Sequence, residues 1–111
     1  MILSFSDGTI LHLVMKGKWF DMIERDEKLE EYRSIKPYWW KRIFTSPFKK
    51  NAPEGWYNGK HKYVRFRRGY QKDAPEMIWK LGRQGIGNAK PKISADSMGR
   101  MIILEITERI Q

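Results

Sequence analysis

The spacing of apolar residues changes between strand-like and helix-like periods along the chain, and this pattern predicts a small α+β fold. Alternation at every second residue is typical of a half-buried strand, whereas recurrence at three and four residues is typical of a helix packed on a sheet. By these criteria the predicted strands lie at 9–15, 25–33, 61–70, 77–81 and 101–110, and the predicted helices lie at 16–25 and 36–44. The last strand is apolar on both faces, so we expect it at the centre of the sheet.

Proline and glycine mark two predicted connections. Residues 45–60 contain two of each and predict a long basic surface loop, whose Trp56 and Tyr57 either close over a nucleotide or pack back onto the sheet. After the predicted strand at 77–81, Gly85, Gly87 and Gly99 predict a flexible connection.

The predicted strand at 25–33 carries charge where a small domain usually places apolar residues. Side chains two apart share a face, so Leu29, Glu31, Arg33 and Ile35 line up together. If this face points inward, Glu31 and Arg33 form a partly buried pair, because a lone buried charge is strongly unfavourable. If it points outward, the same charges are solvated. Lys28 falls at the junction between helix and strand, which favours a position facing a cleft.

Length and charge bound the class of protein. The 111 residues predict a single domain spanning 1–111. The net charge is +9, and it divides into −2 over residues 1–33, +12 over 34–100 and −1 over 101–111. Such a concentration of positive charge favours a polyanionic partner, nucleic acid above all, over the alternative of a generically basic surface.

The sequence also limits the possible metal sites, cellular location and catalytic motifs. The chain has no cysteine, and His12 and His61 do not form a metal-ligand cluster by spacing, so no cofactor or metal is predicted. No apolar run approaches the roughly 20 residues that span a bilayer, and no export signal begins the chain. These observations predict a cytoplasmic protein without a membrane partner. A P-loop, a dinucleotide-binding glycine fingerprint and a nucleophile elbow are all lacking in the sequence.

Aromatic and basic residues are interleaved in two further stretches. In the predicted helix at 36–44, one of the adjacent Trp39 and Trp40 is a candidate platform for stacking a base, the alternative being that both are core residues. In the predicted strand at 61–70, Arg65, Arg67 and Arg68 project outward as a candidate edge for phosphate contacts, unless they are simply solvated.

The order of a strand, a short aromatic helix and a charged strand resembles the ASCH (activating-signal cointegrator homology) domain family. The family pattern G-x-K-x-x-E-x-R is matched at Lys28, Glu31 and Arg33, whereas Asp26 stands in place of the glycine. Aspartate tolerates a left-handed turn better than most residues do. The resemblance extends to the residues Ile35-Lys36-Pro37-Tyr38-Trp39, Phe66-x-x-Gly69-Tyr70 and the strand at 102–110.

This resemblance implies a PUA-like fold, a small mixed β-barrel of about five strands with two short flanking helices. It also implies RNA or nucleotide binding in a cleft lined by Lys28, Glu31 and Arg33. Some members of that wider group resemble hydrolases that act on RNA or on acylated nucleosides, although the amidohydrolase-like branch has threonine at the position of Glu31.

The charged residues therefore have three possible roles. In a binding domain they contact the ligand together with the tryptophans and the arginines named above. In an enzyme, a desolvated Lys28 would act as base or nucleophile with Glu31 as its acid partner, and Arg33 would hold an oxyanion or phosphate. Alternatively, the three form a static salt-bridge network that orders the barrel. A pure interaction module without nucleic acid is a further possibility for the chain.

Overall fold

The computed structural model describes residues 10–90 and 99–111. Within these ranges the chain forms six strands and two helices, in the order β1 (Ile10–Met15), α1 (Gly17–Glu24), β2 (Glu30–Arg33), α2 (Pro37–Ile43), β3 (Gly55–Tyr57), β4 (Tyr63–Arg68), β5 (Glu76–Asn88) and β6 (Arg100–Arg109). Thr9, the first residue of the predicted first strand, lies outside the described residues. The α+β class predicted from the apolar spacing is confirmed.

The strands form one curled, half-barrel sheet in the order β1-β4-β5-β6-β2, with β3 paired to β5. The β1–β4 pair is parallel and the other pairs are antiparallel. As its two apolar faces predict, β6 lies inside the sheet, between β5 and β2. The two ends of the sheet, β1 and β2, approach each other where Arg33 Nη2 donates a hydrogen bond to the Val14 carbonyl at 3.4 Å. We call this place the seam.

The strand register decides which side chains face the core. Residues paired in register share a face of the sheet. One row across the sheet therefore points to the concave, inner face, and it consists of Tyr57, Gln84, Leu104 and Glu31. The next row points to the outer face and consists of Trp56, Gly85, Ile103 and Tyr32. The inner face holds the main core with the apolar sides of both helices. The charged face of β2 is thus turned inward.

Strand residues occur within both predicted connections. The predicted loop at 45–60 contains β3, and Gly85 and Gly87 lie inside β5 rather than in a flexible connection. A Cβ atom at Gly85 would lie 2.0 Å from the Gly55 carbonyl oxygen, so glycine here allows the backbones of β3 and β5 to approach. Within the described ranges, neither helix has the length and apolar content that a membrane crossing requires.

Candidate functional site

Three charged side chains converge at the seam, and we call them the triad. Lys28 Nζ lies 3.3 Å from Glu31 Oε1, and Arg33 Nη1 lies 3.1 Å from Glu31 Oε2. Lys28 is 1% exposed and Glu31 is 5% exposed, whereas the Arg33 side chain is 18% exposed. Of the two alternatives that the alternation of β2 leaves open, the structure shows the inward-facing ion pair. Lys28 is buried rather than open to a cleft, because the chain turns inward before β2 begins.

The backbone between α1 and β2 accounts for this arrangement. Asp26 has a left-handed conformation with φ of 60°, which reverses the chain after the helix. Glu31 and Arg33 then lie two apart on β2, opposite Leu104 and Ile102 of the core-facing side of β6. The alternation of a strand thus places both side chains on the inner face.

Each cation of the triad lies against aromatic rings. Lys28 Nζ is 5.3 Å from the ring centre of Trp19 in α1 and 4.7 Å from that of Tyr32. The Arg33 guanidinium carbon is 4.9 Å from the ring centre of Trp39 in α2. Both tryptophans are half-buried. Contacts of this kind are favourable when the cation is desolvated. Helix α1 thus contacts the triad at Lys28, and helix α2 contacts it at Arg33.

Trp39 and Trp40 have separate environments because successive helical side chains point about 100° apart. Trp40 is 1% exposed, packs against Phe44 and donates its indole N–H to the Ser46 carbonyl at 2.8 Å. Trp40 is therefore a core residue, and its burial disfavours the prediction that it contacts nucleic acid. For Trp39, stacking of a base stays a prediction. Sequence reasoning did not identify Trp19 as a site residue, although its position beside the buried Phe20 of α1 implies the same divergence.

The electrostatics of the triad are dominated by burial. Desolvation lowers the pKa of Lys28, and the nearby Glu31 carboxylate opposes that shift. Arg33 also donates toward the Tyr32 carbonyl at 3.5 Å, yet its buried Nε has no hydrogen-bond partner within the described residues. Tyr32 donates to Glu30 at 2.6 Å, and burial raises the pKa of that phenol. The site is held in place at a considerable cost in desolvation.

The three arginines of β4 are paired with acids. Arg67 lies 3.0 Å from Glu76, and Arg65 lies 3.9 Å from the same side chain. Arg68 makes two hydrogen bonds to Asp21 of α1, at 3.0 and 3.1 Å, and this guanidinium lowers the pKa of Asp21. Two carboxylates thus offset much of the positive charge predicted to follow phosphates along this strand.

A separate cavity of about 360 Å³ lies on the Trp40 side of α2. Its lining includes Trp40, Phe44, Phe48, Lys41 and Lys60, and no member of the triad. The described residues contain no group of three potential metal ligands among histidine and acidic side chains.

Comparisons of the chain with protein-family models, curated proteins and solved structures found no match. The fold and the site define a small α+β half-barrel protein with a buried, aromatic-braced ion triad at the seam of its sheet. The geometry of that site is the basis for assigning a function.

Proposed function

We propose that this chain is an RNA- or nucleotide-binding domain of the ASCH type, with a PUA-like fold, and that the ligand binds at the seam. Arg33 and Trp39 contact the ligand, and Lys28 and Glu31 hold Arg33 in place. The left-handed Asp26, at the position of the family's glycine, supports the resemblance because glycine and aspartate both tolerate that conformation.

The observation that carries the proposal is the burial of the triad itself. Lys28 and Glu31 are almost completely removed from solvent, and the Nε atom of Arg33 has no partner within the described residues. An apolar set of similar volume often gives equal or greater stability than a buried ion triad. The presence of a buried ion triad in so small a core is therefore better explained by a role in ligand binding than by a contribution to the stability of the fold.

The exposed part of the site suits an anionic, aromatic ligand. Arg33 is the triad member with the most exposed side chain, and Glu31, Trp39 and two backbone carbonyls orient its guanidinium. A guanidinium held in this way is suited to phosphate and to base edges. The exposed Lys16 and Lys36 follow the two strands of the seam and add positive charge beside it.

Salt-dependent binding tests this proposal. We expect a labelled single-stranded RNA to bind, with the affinity falling about tenfold or more when salt is raised from about 50 to 200 mM. Arg33→Lys keeps the charge but loses the planar fork, so binding should weaken about tenfold. Arg25→Lys is the matched control, because Arg25 is an exposed arginine paired with Glu27. Wild-type protein that shows no salt-dependent affinity contradicts the proposal.

Hydrolysis of RNA or of acylated nucleosides is the second candidate, favoured by the lowered pKa of Lys28. A lysine with a lowered pKa loses its proton more readily, as a base or nucleophile must. Its 1% exposure weighs against that role, because a catalytic group must reach the substrate. Product release by wild-type protein but not by Lys28→Met would favour hydrolysis, and equal background from both would exclude it.

A further inference from the structure

Trp56 is the exposed tryptophan of this chain. All five tryptophans lie within the described residues, and Trp56 alone is classed as exposed, at 49%. It lies in the short strand β3, on the outer face of the sheet, in register with Gly85 of β5. An isolated exposed aromatic residue is ordinary, so its surroundings decide whether it has a role.

The indole of Trp56 is held by a fixed cation. The Arg83 guanidinium carbon lies 4.3 Å from the ring centre. Arg83 makes two side-chain hydrogen bonds to Glu105, at 2.9 and 3.0 Å, and its backbone N–H donates to the same carboxylate at 2.9 Å. These three hydrogen bonds hold Arg83 beside Glu105, with its guanidinium against the indole in the absence of a ligand.

Gly85 contacts the indole at one ring atom. A Cβ atom at Gly85 would lie 2.9 Å from Trp56 Cε3, so the ring rests directly against the backbone of β5. A side chain ordered in this way loses little conformational entropy when a ligand stacks on it.

The chain around Trp56 is strongly basic. Residues 41–62 contain one acid, Glu54, and six exposed cations, namely Lys41, Arg42, Lys49, Lys50, Lys60 and Lys62. None of the six forms an ion pair with another residue of the described ranges, in contrast to the arginines of β4. This unneutralised charge favours a polyanion over an apolar protein surface as the partner.

We propose that Trp56 and Arg83 form a second RNA contact, a platform on which an unpaired base of single-stranded RNA stacks. The inference rests on the proposed function, and it names single-stranded RNA rather than a free nucleotide as the ligand. Stacking of a base on an aromatic side chain, reinforced by an adjacent arginine, is the usual means of binding single strands without sequence preference.

The experiment measures anisotropy of a labelled single-stranded RNA of about ten nucleotides, a length within the usual range of single-strand sites. We expect Trp56→Ala to weaken binding about tenfold and Trp56→Tyr, which keeps a ring, to stay within about threefold of wild type. Tyr70→Ala is the matched control, because Tyr70 is 88% exposed. Its affinity should equal that of wild type. The melting temperature of each variant separates a lost contact from a lost fold.

The outcomes distinguish this inference from the function on which it rests. If Arg33→Lys weakens binding but a folded Trp56→Ala binds RNA as wild type does, the platform is refuted and the seam site stands. The same result would indicate that the exposed surface of Trp56 contacts a protein partner instead of RNA. If wild-type protein does not bind RNA at all, both proposals fail.

Discussion

Replacing Glu31 by glutamine is the sharpest perturbation of the triad. Glu31 is 5% exposed and contacts both cations, at 3.3 Å to Lys28 and 3.1 Å to Arg33. Glutamine keeps the size and one oxygen acceptor but removes the negative charge between two buried cations. Breaking a buried pair in this way costs about 3–5 kcal/mol, so we expect a loss of that size in the free energy of unfolding.

Urea denaturation measures this loss. The matched control is Glu105→Gln, because Glu105 also pairs with an arginine but lies at the surface, where the Arg83 side chain is 64% exposed. Exposed pairs contribute about 1 kcal/mol or less. A loss at Glu31 no larger than the loss at Glu105 would show that the triad is solvated in solution, contrary to the burial described above.

A triple variant, Lys28→Met with Glu31→Leu and Arg33→Met, extends the same reasoning. It removes all three charges and leaves side chains of similar volume among the aromatic rings. We expect the free energy of unfolding to lie within about 1 kcal/mol of the wild-type value, or above it. The reason is that folding of this variant removes no charge of the triad from water. A triple variant as unstable as Glu31→Gln would refute the argument that the triad is unnecessary for folding.

Three further predictions concern pH, the strand β3 and α2. Burial lowers the pKa of Lys28 below its ordinary 10.5, so just below that pH the unfolded chain binds more protons. The free energy of unfolding should therefore rise with pH in that window, and urea titrations should show no such contribution in Lys28→Met. Gly85→Ala should release β3, seen as faster proteolysis within 45–60, because its Cβ would meet the Gly55 carbonyl; unchanged cleavage would contradict that. Trp40→Ala should cost about 3–5 kcal/mol and Trp39→Ala clearly less, by urea denaturation, because the first is fully buried; equal losses would contradict the burial difference.

The local sequence was sufficient to predict which charged residues share a face, but not that this face is inward. Strand alternation places Glu31 and Arg33 on one face, and the cost of burying a lone charge requires that they pair if that face is inward. The register of β2 on β6 shows that it is inward. Lys28 joins the pair because Asp26 turns the chain.

Contacts between distant parts of the chain set the remaining features. Arg68 pairs with Asp21, 47 residues away, and no local pattern reveals such a partner. The glycines of β5 are typical of a loop by propensity, but Gly85 belongs to a strand because β3 packs against it. The choice between Trp39 and Trp40 likewise depends on which side of α2 meets the core.

The triad is proposed to be retained for ligand binding rather than for stability, and RNA affinity of the folded triple variant tests that claim most directly. Wild-type protein should bind single-stranded RNA with salt-dependent affinity, and Lys28→Met with Glu31→Leu and Arg33→Met should bind at least about tenfold more weakly, since the oriented guanidinium is gone. A folded triple variant that binds RNA as tightly as wild type would contradict the account.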